Sequence, residues 1–410
     1  MLAWPAPYLP PALTGINHPN LALFDSYSKN KFEIVDQKIS MYVCGITPYD
    51  ATHLGHAATY IVFDLINRYL IASGREVSFI ENVTDIDDPL FERAKRDGAN
   101  WQELSKSQIE LFQADMTELR VIPPKKLLGV VESMQTVIDS ISKLVKSGKT
   151  YAIDDDLYLD LSKDPKALAN LPISLEEAVK IFAQRGGDPA RAGKRNPLDP
   201  LLWVKSKEDE PSWRAPFGSG RPGWHIECVA IALNNLPEVS NTSITIQGGG
   251  ADLIFPHHYM TGVQARSLTG KEFASLYLHS GMIGLNGEKM SKSLGNLVFV
   301  SKLISAGHDP MAIRLALLDR SYRADLMWSD EILAAANDFL AKIGIALAKT
   351  EVAPTRPVVQ EIVDALADNL DTQRALSAVK KWALDTESGL TGGESGEISR
   401  ALDLYLGVTL

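Results

Sequence analysis

Cysteine is scarce in this chain, with only two among 410 residues. Two cysteines cannot build a disulfide framework, and in a cytosolic protein such residues more often bind a metal or do chemistry. No apolar run approaches the roughly 18 residues that a membrane-spanning helix needs. The first 13 residues contain no basic side chain, and three of the first ten are prolines, so a signal peptide is not predicted. We therefore expect a cytoplasmic protein that does not associate with membranes.

Positive charge is also in short supply, because 41 Lys and Arg face 51 Asp and Glu, which gives a net charge of −10. A broad nucleic-acid surface needs patches of Lys and Arg, so no nucleic-acid partner is expected. The alternative meaning of the acidity is that it keeps the protein in solution. The chain also has no exposed heptad run, and we expect a monomer whose length allows two or three domains.

The first recognisable pattern is that of a βαβ unit. Ile39, Met41 and Val43 alternate as in a strand, a helical stretch follows from Ala57 to Tyr69, and Val77–Ile80 forms a second strand. Strand, helix and strand within about forty residues predict a parallel sheet. The glycine fingerprint G-x-G-x-x-G is missing after the first strand, which argues against an NAD site.

The two cysteines each lie in a segment typical of a binding site. Cys44 ends the stretch Met41–Cys44, Cys228 closes Trp224-His225-Ile226-Glu227-Cys228, and His257 offers a third ligand. Two thiolates and one imidazole suit a tetrahedral zinc with an open fourth position, which is typical of a working site. A closed structural zinc is the alternative, and the sequence offers no convincing fourth ligand for it. We expect His225 and His258 to be neighbours of the metal and not ligands.

Two further segments predict phosphate binding. His53-Leu54-Gly55-His56 follows the first strand at a helix N-terminus, where free N–H groups attract phosphates. In the glycine-flanked stretch Glu288–Ser293, Lys289 and Lys292 can neutralise charge as pyrophosphate leaves. Each alone could instead be a surface feature, a chance histidine pair in one case and a solvated basic loop in the other.

Taken together, the HLGH and KMSKS segments resemble the paired signatures of class I aminoacyl-tRNA synthetases. The stretches Asn82–Asp88, Gly223–Cys228 and Gly248–His258 narrow the resemblance to the cysteinyl-tRNA synthetase branch, over roughly residues 25 to 385. This resemblance implies an α/β fold: a Rossmann-like nucleotide-binding parallel sheet of the class I aminoacyl-tRNA synthetase type, with an insertion and a C-terminal helical domain. The implied divisions are residues 25–120 and 223–308 for the two halves of the catalytic domain, 121–222 for a connective insertion, and 309–410 for the helical domain.

Several positions depart from the synthetase pattern and resemble a sister family, the mycothiol-pathway cysteine ligases. Ile46-Thr47-Pro48-Tyr49-Asp50 replaces P-T-V-Y-D, and Thr261 stands where a synthetase has its fourth zinc ligand, a glutamate. Gln184–Pro189 is similar to the E-R-G-G-D-P segment of the ligases. Little chain remains for a tRNA-anticodon domain. Tyr259 and Gln184 differ from that family too, since it usually has glutamate at both positions.

The resemblance implies a site in which Cys44, Cys228 and His257 hold Zn²⁺ and the open position takes the thiol of substrate cysteine. His53, His56, Lys289 and Lys292 would stabilise the reacting phosphorus of ATP, which arrives with Mg²⁺. The residues implied to bind cysteine or nucleotide are Cys44, Gly45, Ile46, Thr47, Thr59, Asn82, Val83, Thr84, Trp224, Gly250, Ala251, Asp252 and Ile283. Asp252 could take either the α-ammonium of cysteine or a ribose hydroxyl.

The implied reaction is the ATP-dependent ligation of cysteine, through a cysteinyl-adenylate, to the amine of glucosaminyl-inositol. Cysteine, ATP and this amino sugar are the expected small-molecule partners. Two alternatives remain open. The first is a cysteinyl-tRNA synthetase, and the second is a non-catalytic relative that binds nucleotide and uses zinc structurally.

Overall fold

The computed structural model describes residues 1–49, 52–208, 210–239, 241–290 and 295–410. In chain order, its strands are β1 (Leu21–Phe24), β2 (Lys31–Ile34), β3 (Lys38–Val43), β4 (Glu76–Val83), β5 (Lys126–Gly129), β6 (Thr150–Ile153), β7 (Asp156–Leu159), β8 (Leu201–Val204), β9 (Trp213–Ala215), β10 (Gly218–Pro222), β11 (Thr242–Gly250), β12 (Glu272–Ser280), β13 (Ile283–Leu285), β14 (Glu288–Lys289) and β15 (Leu326–Trp328).

The α-helices are α1 (Leu54–Ala72), α2 (Asp88–Asp97), α3 (Trp101–Glu118), α4 (Met134–Lys146), α5 (Lys166–Ala169), α6 (Leu175–Gln184), α7 (Trp224–Asn235), α8 (Tyr259–Thr269), α9 (Val300–Ser305), α10 (Pro310–Leu318), α11 (Asp330–Leu347), α12 (Arg356–Ala367), α13 (Thr372–Glu387) and α14 (Ser395–Ala401). Short 3₁₀ or π segments cover Leu161–Lys163, Ala251–Leu253, Ile254–His258 and Leu402–Leu406. Among the helices of the described residues, none combines the length and apolar character that crossing a lipid bilayer requires.

The central element is a parallel sheet in which, among the described residues, five strands follow the order β12-β11-β3-β4-β5. From β3 the chain passes through α1 to β4 on one side, whereas β11 pairs with β3 on the other. The order in which strands are added therefore reverses at β3. Such a switch point opens a crevice at the carboxyl ends of the strands. The predicted α/β fold with a parallel sheet is confirmed.

Apolar side chains cover both faces of this sheet. One cluster joins α1 to the C-terminal helices, and a second joins α4, α7 and α8 to the other face. Helix α1 is buried along most of its length because it lies between the sheet and the C-terminal helices. The strands of a sheet covered on both sides read as continuous apolar runs, as in β3, where five of its six residues are buried.

Strand β5 was not predicted, and it lies inside the range 121–222 that the resemblance assigned to the connective insertion. Its four residues, Lys126–Gly129, are too few to show a period of two, yet they pair in parallel with Ile80–Val83 of β4. The boundary predicted at residue 121 thus precedes a strand of the main sheet. The separate sheet of the insertion is antiparallel, has the order β6-β7-β8-β10-β9, and begins only at Thr150.

A buried ionic cluster ties the C-terminal residues to helix α1. Asp64 accepts hydrogen bonds from Arg68 Nε at 2.7 Å and from Arg314, and all three side chains are fully buried. Arg68 Nη1 donates to the Asp403 carbonyl at 2.7 Å, and Arg314 Nε donates to the Leu406 carbonyl at 2.6 Å. The last helical turns are therefore fastened to the helix that follows β3.

Candidate active site

A cavity of about 730 Å³ lies at the carboxyl ends of the parallel strands. Cys44 follows β3, Thr84 follows β4, and Gly250 ends β11, and all three residues line the cavity. A volume of this size is in the range of small-molecule sites. The side chains that the sequence pointed to therefore meet at one edge of the sheet.

The two cysteines and His257 come together beside this cavity, and Cys44 is the one of them that lines it. The Cys44 and Cys228 sulfurs are 3.9 Å apart, and Cys44 Sγ lies 3.5 Å from His257 Nε2. All three residues are buried. With Zn–S bonds of about 2.3 Å and a Zn–N bond of about 2.0 Å, a tetrahedral ion separates two sulfurs by about 3.8 Å and sulfur from nitrogen by about 3.5 Å. These two distances match the separations that one zinc ion would impose on its ligands.

His258 lies even closer to Cys44, with its Nε2 atom 3.2 Å from Cys44 Sγ, so it forms a possible metal-binding group with Cys44 and His257. That separation is short for two ligands of one tetrahedral zinc and suits a hydrogen bond to sulfur. The other ring nitrogen of His258 is 2.7 Å from His279 Nε2, and His279 in turn contacts Ser26 Oγ at 2.8 Å. The distance favours a hydrogen bond between His258 and Cys44.

Neighbouring side chains contact the candidate ligand His257 and hold it in place. His225 Nδ1 lies 2.9 Å from His257 Nδ1, and the Trp224 ring stacks on the His257 ring at 4.1 Å between centroids. Burial raises the pKa of the Cys44 thiol, whereas the hydrogen bond from Cys44 lowers the pKa of Cys228. The two sulfurs therefore favour a shared proton with one thiolate, which is the state of cysteine that binds metals.

The histidine pair of the HLGH segment sits at the start of α1. His53 caps the helix, because its Nδ1 accepts the Gly55 N–H at 3.1 Å. The His53 and His56 rings stack with centroids 3.8 Å apart. Burial lowers the pKa of His53 to about 4, and burial together with His53 lowers the pKa of His56 well below its usual value. Both rings are neutral at physiological pH and line the cavity as hydrogen-bonding groups.

Lys289 supplies positive charge on the same wall. It lies in β14, which pairs with β13 at Gly284, and it lines the cavity together with Met290. Lys292, the second lysine of the KMSKS segment, lies outside the described residues.

The structure brings most of the predicted binding residues to the cavity. Those that line it are Cys44, Gly45, Ile46, Thr47, Thr59, Thr84, Trp224, Gly250 and Asp252. Asn82, Val83, Ala251 and Ile283 stand outside the described lining. Asn82 acts from behind, because its Oδ1 accepts the Gly45 N–H at 3.0 Å and its Nδ2 donates to Thr84 Oγ1 at 3.2 Å.

The opposite wall comes from the insertion, and sequence reasoning assigned no individual residue there. Its charged members include Asp156, Arg185, Asp188 and Arg191. Arg185 Nη1 reaches Asp252 Oδ2 across the cavity at 3.4 Å. The signal in the sequence was the Gln184–Pro189 segment, which marked the loop but not the direction of its side chains.

Glu227 is a second residue that the sequence did not single out. It is 1% exposed, lines the cavity, and in the described residues its Oε2 atom has no hydrogen-bond partner. Burial, followed by the nearby Cys228, raises the pKa of this carboxyl well above its usual value. A buried carboxyl without a partner is expensive, which suggests a role in the site.

Known proteins are similar to this chain over its whole length. A family model described as the catalytic domain of class I (C) tRNA synthetases matches residues 31–338. The L-cysteine:1D-myo-inositol 2-amino-2-deoxy-alpha-D-glucopyranoside ligase of Gordonia bronchialis is 49% identical over 418 residues, covering 100% of both chains. The protein of the same name from Streptomyces griseus is 47% identical over 415 residues, again covering 100% of both. The chain belongs to this ligase family.

The ligase family thus shares its catalytic domain with class I tRNA synthetases. Among solved structures, the methionyl-tRNA synthetase of Mycobacterium tuberculosis in complex with methionyl-adenylate matches with a TM-score of 0.65. The match covers 90% of this chain and 89% of that one at 15% identity. At that identity the likeness shows the fold alone.

Proposed function

We propose that this protein ligates L-cysteine to the amine of glucosaminyl-inositol, using ATP and releasing AMP and pyrophosphate. The observation that carries the proposal is the cavity itself, where a thiol-binding Cys–His cluster lies beside the HLGH histidines and Lys289. Full-length relatives near 49% identity carry the name of this ligase. The site combines cysteine selection with adenylation.

Cysteine selection would rest on the zinc that Cys44, Cys228 and His257 hold. Zinc favours a coordinating thiolate over the harder hydroxyl of serine. Trp224, stacked on His257, would bound the side-chain pocket, and Thr47 and Thr84 would line it. Asp252 remains a partner for either the ammonium of cysteine or the ribose of ATP.

Adenylation would rest on the wall formed by the start of α1 and by β14. The N-terminus of α1 presents free N–H groups to phosphate, and His53 and His56, held neutral by burial, donate hydrogen bonds to the phosphate oxygens. Lys289 adds a positive charge that stabilises the departing pyrophosphate, and Mg²⁺ accompanies the triphosphate. In such transfers, positioning and electrostatics lower the barrier.

The second step joins the amine of the amino sugar to the cysteinyl carbonyl. The amine nitrogen attacks the carbonyl carbon, the bond from that carbon to the AMP oxygen breaks, and the nitrogen loses a proton. The product is an amide. A tRNA hydroxyl would give an ester, the reaction of the alternative cysteinyl-tRNA synthetase.

We also propose that the substrates are small molecules, that nucleic acid is not a partner and that the protein acts as a monomer. The proposed compartment is the cytoplasm, where reducing conditions keep Cys44 and Cys228 as thiols available to a metal.

The test gives the zinc-loaded protein ATP, Mg²⁺ and cysteine, with either glucosaminyl-inositol or tRNA as acceptor. The expected product is a cysteinyl amide, detected by mass spectrometry, with the amino sugar alone. Cysteine transferred to tRNA in its place would support the synthetase. Failure to exchange labelled pyrophosphate into ATP in the presence of cysteine would overturn both enzymes and revive a non-catalytic role.

A further inference from the structure

The cavity has a second wall that the adenylation chemistry does not use. It is built by the insertion: Asp156 and Tyr158 lie on β7, and Arg185, Asp188 and Arg191 lie on the loop that follows α6. We call these five residues the insertion wall. It faces the strand ends that carry Thr84 and Gly250.

The polar groups of the insertion wall are fixed before any ligand binds. Arg191 is held by Asp156, by Tyr158 OH at 2.9 Å, and by the Ile153 carbonyl at 3.2 Å. Asp188 accepts hydrogen bonds from Tyr158 OH and from Lys194 Nζ, the latter at 2.9 Å. A carboxylate can accept about four hydrogen bonds, so Asp188 retains acceptor capacity.

Two glycines bring the loop back over the cavity. Gly186 has a φ of +85°, a conformation that glycine adopts without strain. A Cβ on Gly187 would lie 2.3 Å from the Phe182 ring. The chain therefore turns tightly against the end of α6, which places Asp188 at the rim of the cavity.

The charged groups in this part of the cavity disfavour a phosphate ligand and favour a ligand with hydroxyl groups. Asp88 and Glu92 line the cavity together with Asp156 and Asp188, and carboxylates repel a triphosphate. Arg185, Arg191 and Arg221 are already paired with carboxylates, at Asp252, Asp156 and Asp88 respectively. A ring of hydroxyls, by contrast, can donate to carboxylates and accept from guanidinium groups.

We propose that the insertion wall binds the inositol ring of the acceptor, an inference that rests on the proposed function. The amine must reach the cysteinyl carbonyl between the Cys–His cluster and α1. The inositol is attached to the carbon next to the one that bears the amine, so it needs a place of its own in the cavity beside the amino sugar. The insertion wall offers carboxylate and guanidinium groups that suit its hydroxyls.

The test compares the two half-reactions in Asp188→Asn, which keeps the size of the side chain and removes its charge. Hydrogen bonds to a charged group are worth enough to change binding by about tenfold. We expect the KM for glucosaminyl-inositol to rise about tenfold while cysteine-dependent pyrophosphate exchange stays within about twofold. The KM for free glucosamine, which lacks inositol, should not change. Tyr158→Phe should act in the same direction.

The matched control is Asp155→Asn, since Asp155 is an exposed neighbour paired with Lys205 at 2.6 Å. Its KM values should equal those of the unmodified protein. An unchanged KM for glucosaminyl-inositol in Asp188→Asn, or an equal rise for glucosamine, would overturn this inference alone. If the unmodified protein exchanges pyrophosphate but ligates no amino sugar, the proposed function falls and this inference falls with it.

Discussion

At the scale of single residues, the close approach of the chain after β3 to β4 requires glycine at position 45. A Cβ at this position would lie 1.6 Å from the Asn82 carbonyl oxygen, and the Gly45 N–H donates to Asn82 Oδ1 at 3.0 Å. Only glycine lets the chain after β3 pass so near to β4. The position of Cys44, one residue earlier, depends on that path.

Replacing this glycine should therefore disturb the metal site. We expect Gly45→Ala to lower the zinc content well below one ion per chain and to reduce cysteine-dependent pyrophosphate exchange by at least about tenfold. Zinc can be measured by plasma mass spectrometry, with circular dichroism to show that the fold is retained.

Gly396→Ala is the control, because a Cβ there would meet nothing within 4 Å. Full zinc content and normal exchange in a folded Gly45→Ala protein would contradict the account of Cys44 positioning.

The sequence could point to candidate metal ligands but not to their surroundings. Cys44, Cys228 and His257 were singled out because few residue types bind zinc and each stood in a distinctive segment. The contact of His258 with Cys44, and the unpartnered carboxyl of Glu227, depend on how three distant segments meet. Such tertiary contacts leave no mark on local spacing.

At the scale of elements, helix α3 carries a carboxyl that its environment disfavours. Asp115 is 3% exposed, and in the described residues its Oδ2 atom has no hydrogen-bond partner. Burial raises the pKa of this carboxyl to about 7. In the unfolded chain an aspartate has a pKa of about 3.9, so the folded protein keeps a proton that the unfolded chain loses between about pH 4 and 7.

The pH dependence of the free energy of unfolding follows from this difference between the two pKa values. Above about pH 7 the folded protein must hold a buried charge, which destabilises it, and the penalty fades as the pH falls towards 4. Asp115→Asn should therefore raise the free energy of unfolding by about 2 kcal/mol at pH 8 and leave it nearly unchanged at pH 4. Urea unfolding at both pH values measures this.

Glu110→Gln on the same helix serves as the control, since the Glu110 side chain is 64% exposed. It should alter stability by no more than a few tenths of a kcal/mol at either pH. An Asp115→Asn protein less stable than the unmodified one at pH 8 would refute the assignment.

Long elements with a periodic apolar pattern were predictable from the sequence, whereas a short strand was not. The pattern from Ala57 to Tyr69 predicted α1, and the resemblance implied a C-terminal helical domain, which contains α11, α12 and α13. Strand β5, with four residues, was missed, and the insertion strands gave only weak signals. Their pairing is set by partners far along the chain, such as β7 with β8.

At the scale of the whole molecule, the Asp64 cluster joins regions about 250 residues apart. Arg314→Met should destabilise the protein by about 3–5 kcal/mol, because it leaves the Leu406 and Leu119 carbonyls without their donor and Asp64 with one cation fewer. The midpoint of urea unfolding measures the loss.

Arg400→Met is the comparison, since Arg400 is exposed on α14. Its unfolding midpoint should match that of the unmodified protein. A midpoint for Arg314→Met equal to that of Arg400→Met would show that the buried cluster does not stabilise the fold.

The attachment of residues 403–406 to α1 also bears on the order in which the protein is made. The ribosome delivers the N-terminal sheet long before these residues, and domains begin to fold during synthesis. Until residues 403–406 emerge, Arg68 lacks the Asp403 carbonyl and Arg314 lacks the Leu406 carbonyl that they bind in the finished protein. Helix α1 is thus translated well before the Asp403 carbonyl that helps to hold it, which lies 335 residues further along the chain than Arg68.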